Sequence, residues 1–172
     1  MLVRLLKACV LALLVAIPAA HAATLNDAQI AHIAYTAGEL DIAAAKLALQ
    51  KSKNADVRAF AQNMVGDHTA VNQKALALLK KLKVTPQDNP ISQKLSKQSA
   101  AKQAELKKLS GAAFDRAYVA NEVAFHKTVN GALNKTLIPD AQNAQLKALL
   151  ETGLKIFQGH QQHAEHLAKM LK

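Results

Sequence analysis

The chain has 172 residues, 51% of them hydrophobic and only 3% aromatic, with a net charge of +10 and a single cysteine. The length suits one domain with a buried core, and the lone cysteine excludes an internal disulfide as well as zinc or iron–sulfur chemistry built on several thiolates. A basic balance suits an acidic partner or an anionic surface, but without tryptophan and with few other aromatics there is no stacking platform for nucleic acid.

The N-terminus reads as a leader. Arg4 and Lys7 precede an apolar run of 13 residues, Ala8 to Ala20, and Ala20-His21-Ala22 forms an A-x-A cleavage signature. The run is shorter than the roughly 20 apolar residues that a spanning helix needs. Residues 1–22 are therefore expected to be a signal peptide cleaved after Ala22. Residues 23–172 are expected to be one exported domain in the periplasm, with no transmembrane anchor after cleavage. Cys9 falls in the leader, so the mature chain is expected to carry no thiol.

Alanine, leucine, lysine and glutamine, all good helix formers, dominate the remainder, and the spacing of apolar residues divides it. A first helix is expected from about Asn26 to Lys51, where Asn26 and Gln29 form a capping-box pair. Its stripe is Ile30, Ile33, Ala37, Leu40, Ala44 and Leu47. Asn54 is the N-cap of a second helix running to about Lys83, with Val57, Phe60, Met64, His68, Val71 and Ala75 on one face. Pro86 and Pro90 bracket a loop, after which a shorter helix spans about Ile91 to Leu109. Ser110-Gly111 opens another, with Phe114, Tyr118, Phe125, Val129 and Leu133, to about Lys135. Pro139-Asp140 marks the last turn, and the final helix carries Leu146, Leu150, Leu154, Phe157, His160, Ala164 and Leu167.

Connection lengths set the topology. The first two long helices and the last two are joined by short turns, which makes each pair an antiparallel hairpin. The connection between the pairs contains a helix long enough to travel about 28 Å at 1.5 Å per residue. The expected fold is all-α: a ferritin-like four-helix bundle of two antiparallel hairpins joined by a long crossover that contains a short fifth helix. A five-helix up-and-down array is also compatible with these lengths.

The seven histidines include His21 in the leader; the others are His32, His68, His126, His160, His163 and His166. His68, His126 and His160 lie on or beside apolar stripes of three different helices, which points to a shared site. Counting along the bundle places Glu39, His68 and His126 in one layer, roughly 21–23 Å from the end where the first hairpin turns. Glu122 lies one turn from His126 on the same face, whereas His160 counts nearer the level of Arg116 and Tyr118. The candidate metal ligands are Glu39, His68, Glu122, His126 and His160. Two Glu-x-x-His pairs, the mark of a bridged di-iron centre, are missing, so the set suits a single Fe, Zn or Cu ion. A metal-free hydrogen-bonded core of the same residues is the alternative. His160, His163 and His166 recur every three residues and form a second, weaker chelating pattern.

No catalytic residues are expected. The sequence has no nucleophilic cysteine outside the leader, no G-x-S-x-G elbow and no glycine-rich phosphate loop. Either the bundle binds a metal ion in envelope stress or metal handling, or it is a metal-free structural or interaction module. In the second case its lysine-rich surface meets an anionic envelope component or an acidic protein.

Several segments carry a family resemblance: Glu39-Leu40; Phe60-Ala61-Gln62-Asn63-Met64-Val65 leading to Asp67-His68-Thr69; Ser110-Gly111 leading to Phe114-Asp115-Arg116-Ala117-Tyr118; His126; and His160 leading to Ala164. They resemble the exported family called domain of unknown function 4142, over about Leu25 to Leu171. The resemblance implies a ferritin-like fold and an envelope location, supplies no activity, and draws attention to Asp67, His68, His126 and His160.

Overall fold

The computed structural model describes residues 24–171, so the expected signal peptide lies outside the described residues. Among those described there are helices and no strands. Helix α1 spans Asp27–Lys51, α2 Ala55–Leu82, α3 Pro90–Lys107 and α4 Gly111–Ala132; a π-helical turn Leu133–Leu137 leads into one α-turn, α5 (Ile138–Asp140), and α6 spans Ala144–Met170.

The helix starts follow local chemistry. Asn26 accepts from the Gln29 amide while the Gln29 side chain accepts from the Asn26 amide, completing the expected capping box. Asn54 accepts from the amides of Asp56 and Val57. Asn89 caps α3 together with Ser92, with Pro90 at the first helical position, where a missing N–H costs nothing. The start of α4 turns on Gly111, whose φ of 55° lies in the left-handed region that favours glycine.

The last connection departs from the sequence reading. The helix expected to end near Lys135 continues through the π turn, where the Ile138 N–H bonds to the Leu133 carbonyl. Pro139, which has no N–H and crowds the carbonyl four residues back, is carried where the helix has already widened. The final helix starts at Ala144, capped by Asn143, and not near Pro139.

The helices assemble as two hairpins, α1 with α2 and α4 with α6; the pairs meet along α2–α6 and α1–α4, and α3 lies mainly against α1. Two apolar clusters fix the directions. One joins the C-terminal half of α1 (Leu47), the start of α2 (Phe60), the end of α3 (Leu106), the start of α4 (Phe114, Tyr118) and the end of α6 (Leu167). The other joins the start of α1 (Ile30, Ile33), the end of α2 (Leu79), the end of α4 (Val129) with the π turn (Leu133), and the start of α6 (Leu146, Leu150). α3 therefore runs the length of the bundle and returns the chain to the end where α2 began. Each large apolar side chain buried in these clusters contributes about 1.5–3 kcal/mol. At the second end Asp27 accepts from the backbone amides of Gln142 and Asn143 at 2.9 and 3.0 Å, which ties the first helix to the last turn. No described helix is long and apolar enough to cross a membrane.

Candidate metal centre

Between the two apolar clusters the core turns polar. Asp41 on α1, His68 on α2, Glu122 and His126 on α4 and His160 on α6 are all buried at this level. Each sits on the inward row of its helix, flanked a turn away by core residues: Asp41 by Ala37 and Ala44, His68 by Met64 and Asn72, His160 by Phe157 and Ala164. The rings of His68, His126 and His160 lie 5.3–5.7 Å apart between centroids. One potential ligand atom from each falls within 4.8 Å of the others, and the same holds for Asp41, Glu122 and His126.

Hydrogen bonds fix which nitrogens point inward. His126 Nδ1 is 3.0 Å from the Glu122 backbone carbonyl. A carbonyl only accepts, so Nδ1 carries the hydrogen and Nε2 presents its lone pair. That Nε2 lies 3.4 Å from Asp41 Oδ2 and has no hydrogen-bond partner. His160 Nε2 donates to Asp67 Oδ2 at 2.9 Å, which leaves a buried, unpartnered Nδ1. His68 Nε2 approaches Asp41 Oδ2 to 2.6 Å, yet neither atom gains an aligned hydrogen bond. His68 and Asp41 are in close contact, and the other ligand atoms lie around the same space. Phe157 stacks on His68 at 4.4 Å and holds the ring's tilt.

The electrostatics follow from burial. Burial alone would raise the Asp41 carboxyl, but His68 and then His126 outweigh it and hold the group down at about 2. Glu122 is pushed well above its ordinary 4.5, by burial first and the Asp41 charge second. Burial also lowers His126 from 6.5 to about 4, against the upward pull of Asp41. His160 is lowered by burial and partly supported by Asp67. The Tyr118 hydroxyl, buried without a partner, is raised by burial and by the charges of Glu122 and Asp41. The favoured state is thus a carboxylate at Asp41, a protonated carboxyl at Glu122 and neutral imidazoles at His126 and His160, the form that ligates metal.

The structure brings together four of the five residues that the sequence singled out: His68, Glu122, His126 and His160. Glu39 is the exception and stands outside the buried group. It is exposed and accepts a hydrogen bond of 2.8 Å from Asn72 Nδ2. The carboxylate that α1 delivers is Asp41, about 200° further round the helix at 100° per residue. A signal for it was present: Asp41 continues the row Ala37, Ala44, Ala48, all buried. His160 joins the layer because α6 begins later than expected, which removes about 6 Å from its apparent depth at 1.5 Å per residue. Asp67 and His68, neighbours in sequence, serve one centre from different sides. His163 and His166 are exposed, and His163 packs edge-on against Phe60 at 5.1 Å, so the trio with His160 does not converge. His32 meets Ser92 Oγ at 3.0 Å and joins α1 to α3.

A cavity of about 190 Å³ between α1, α3 and α4 reaches Asp41 and Glu122 from beneath Gln98, Ser99 and Lys102. Asn130 braces the other side, donating to the Phe157 carbonyl at 3.2 Å and to Gln161 at 3.0 Å. Gly38, one turn before Asp41, makes room for Asn72: a Cβ there would lie 2.4 Å from Asn72 Oδ1.

Fold and site together define a class: an all-α bundle with a buried histidine–carboxylate cluster drawn from four helices. The chain belongs to the family described as Domain of unknown function (DUF4142), whose model matches residues 14–167. No curated protein and no solved structure matches it.

Proposed function

We propose that this protein binds one divalent first-row transition ion at the centre of its bundle, through His68, His126 and His160 with Asp41 as the charged ligand. The observation that carries this reading is the set of buried ligand atoms from four helices, within 4.8 Å of one another in each group of three and without aligned hydrogen bonds among themselves. Bonds of about 2.0–2.1 Å to imidazole nitrogen need coordinated atoms about 3–4 Å apart, so small ring rotations complete the contraction. Two of the imidazoles already have their other nitrogen tied to an acceptor, the arrangement that orients ligating histidines. Three imidazoles with a single carboxylate suit Fe(II), Zn(II) or Cu(II) over Mg or Ca. Glu122 supplies a proton-bearing carboxyl beside the ion, and the cavity under α3 is its entry path.

The leader-like residues 1–22 support an exported protein acting in the periplasm, in metal handling or envelope stress. The experiment is metal analysis of protein purified without a histidine tag, followed by titration with Zn(II), Cu(II) and anaerobic Fe(II). Stoichiometric binding is expected in the wild type and in the double variant His163→Ala, His166→Ala, and its loss in His68→Ala and His126→Ala. Absence of stoichiometric binding in the folded wild type would reduce the cluster to a metal-free core and turn attention to the basic surface as an interaction face.

A further inference from the structure

A second, larger cavity lies in the half of the bundle where α1 begins and α2 ends. It occupies about 320 Å³, is lined by α1, α2, α3, the end of α4 and the start of α6, and opens to the surface on one side. Small residues leave it open: Ala34, Ala37, Ala75, Ala132 and Gly153 all face it. Phe157 forms the wall towards the histidines, since the ring that stacks on His68 also lines this space. The exposed members of its lining, Ile91, Lys94 and Gln98 on α3 and Thr128 on α4, mark the mouth. α3 is held there loosely, with Ser92 and Leu106 its only buried residues.

Native interiors rarely keep voids much larger than a water molecule, because atoms lining a void lose contacts on one side. Water is a poor filler where polar partners are few. A dry cavity of roughly 150 Å³ accepts one benzene ring, so this one accommodates about a dozen non-hydrogen atoms. Among the described residues its lining contains no acidic side chain and one cation, Lys94, at the mouth. Lys97 continues the basic edge along α3, while Lys102 further on pairs with Glu105.

We infer that this cavity is a binding site for a free medium-chain carboxylate, its alkyl chain between α1, α2 and α6 and its carboxylate at the mouth beside Lys94. The site is separate from the histidine centre and requires no metal.

The test is calorimetric titration of the protein with decanoate below its micelle concentration, with decanol and decylamine in parallel. One-to-one binding of decanoate with a dissociation constant on the order of 10 µM is expected from ligand-efficiency limits, and weaker binding of decylamine. Gly153→Leu places a side chain in the cavity; a Cβ at that position meets only ordinary contacts, the nearest at 3.5 Å from Phe157. It should weaken decanoate at least tenfold with the thermal midpoint retained. Lys94→Glu, on an exposed helical surface, should weaken decanoate several-fold and leave decanol unchanged. Unsaturable binding, equal binding by well-folded Gly153→Leu, or attachment to phosphatidylglycerol vesicles without binding of monomeric decanoate would each overturn the assignment.

Discussion

Asp67 on α2 accepts a 2.9 Å hydrogen bond from His160 on α6, 93 positions along the chain, while the next residue, His68, turns into the core to meet Asp41. Adjacent residues on a helix diverge by about 100°, so α2 orients one imidazole from outside the centre and contributes another from inside it. Asp67 is half-exposed, with 52% of its side chain accessible. Asp67→Asn should therefore leave the fold intact and lower metal affinity about 10–100-fold, the usual effect of removing an orienting partner. Competition with a chelator of known affinity measures this, and unchanged affinity would remove Asp67 from the centre.

Asp41 and Glu39 make a contrasting pair. Asp41→Ala takes away the carboxylate buried between His68 and His126 and should cost about 3–5 kcal/mol of metal-free stability, the penalty of breaking a buried charged contact. Glu39→Ala removes only an exposed acceptor for Asn72 and should cost about 1 kcal/mol or less. Urea denaturation of both variants checks the difference. Metal binding should be weakened by the first and indifferent to the second.

The pH dependence has two opposing parts. His126 titrates at 6.5 when unfolded and at about 4 when folded, so the unfolded chain takes up its proton first. The stability that its neutral form contributes is full above pH 6.5 and is lost as pH falls towards 4; His160, also lowered, acts in the same sense. Glu122, raised above 4.5 by burial, contributes stability below that pH and loses it as pH rises. In Glu122→Gln the histidine part stands alone. The metal-free variant should lose on the order of 2–4 kcal/mol between pH 7 and pH 4.5, more than the wild type loses. Urea unfolding at the two pH values checks this; a flat profile in the variant would show that the histidines are not buried in neutral form.

Tyr118 carries a buried hydroxyl with no hydrogen-bond partner beside Glu122 and Asp41. Tyr118→Phe keeps the ring and its 6.1 Å stacking on Phe114 while removing the unsatisfied group. The expected change is neutral to stabilising by about 1 kcal/mol. A loss above about 2 kcal/mol by thermal denaturation would mean that the hydroxyl is bonded within the folded centre.

The sequence by itself determined the helical class and the caps at Asn26 and Asn54. Those features rest on local chemistry: Asn26, Asn54 and the apolar period act within a few residues. His68, Glu122 and His126, which the structure buries together, were also visible in it, because a titratable residue on or beside an apolar stripe stands out by period alone. Only the tertiary structure decided the rest. Whether Glu39 or Asp41 faces inward depends on the rotation of α1 about its axis, which is set by packing across Gly38 and Asn72. Whether His160 reaches the layer depends on how many residues the turn before α6 consumes, and the π-helical turn ahead of Pro139 does not announce itself in the sequence. The pairing of Asp67 with His160, and the cavity left by small residues on several helices, arise from distances between elements remote in sequence, and no local pattern encodes such distances.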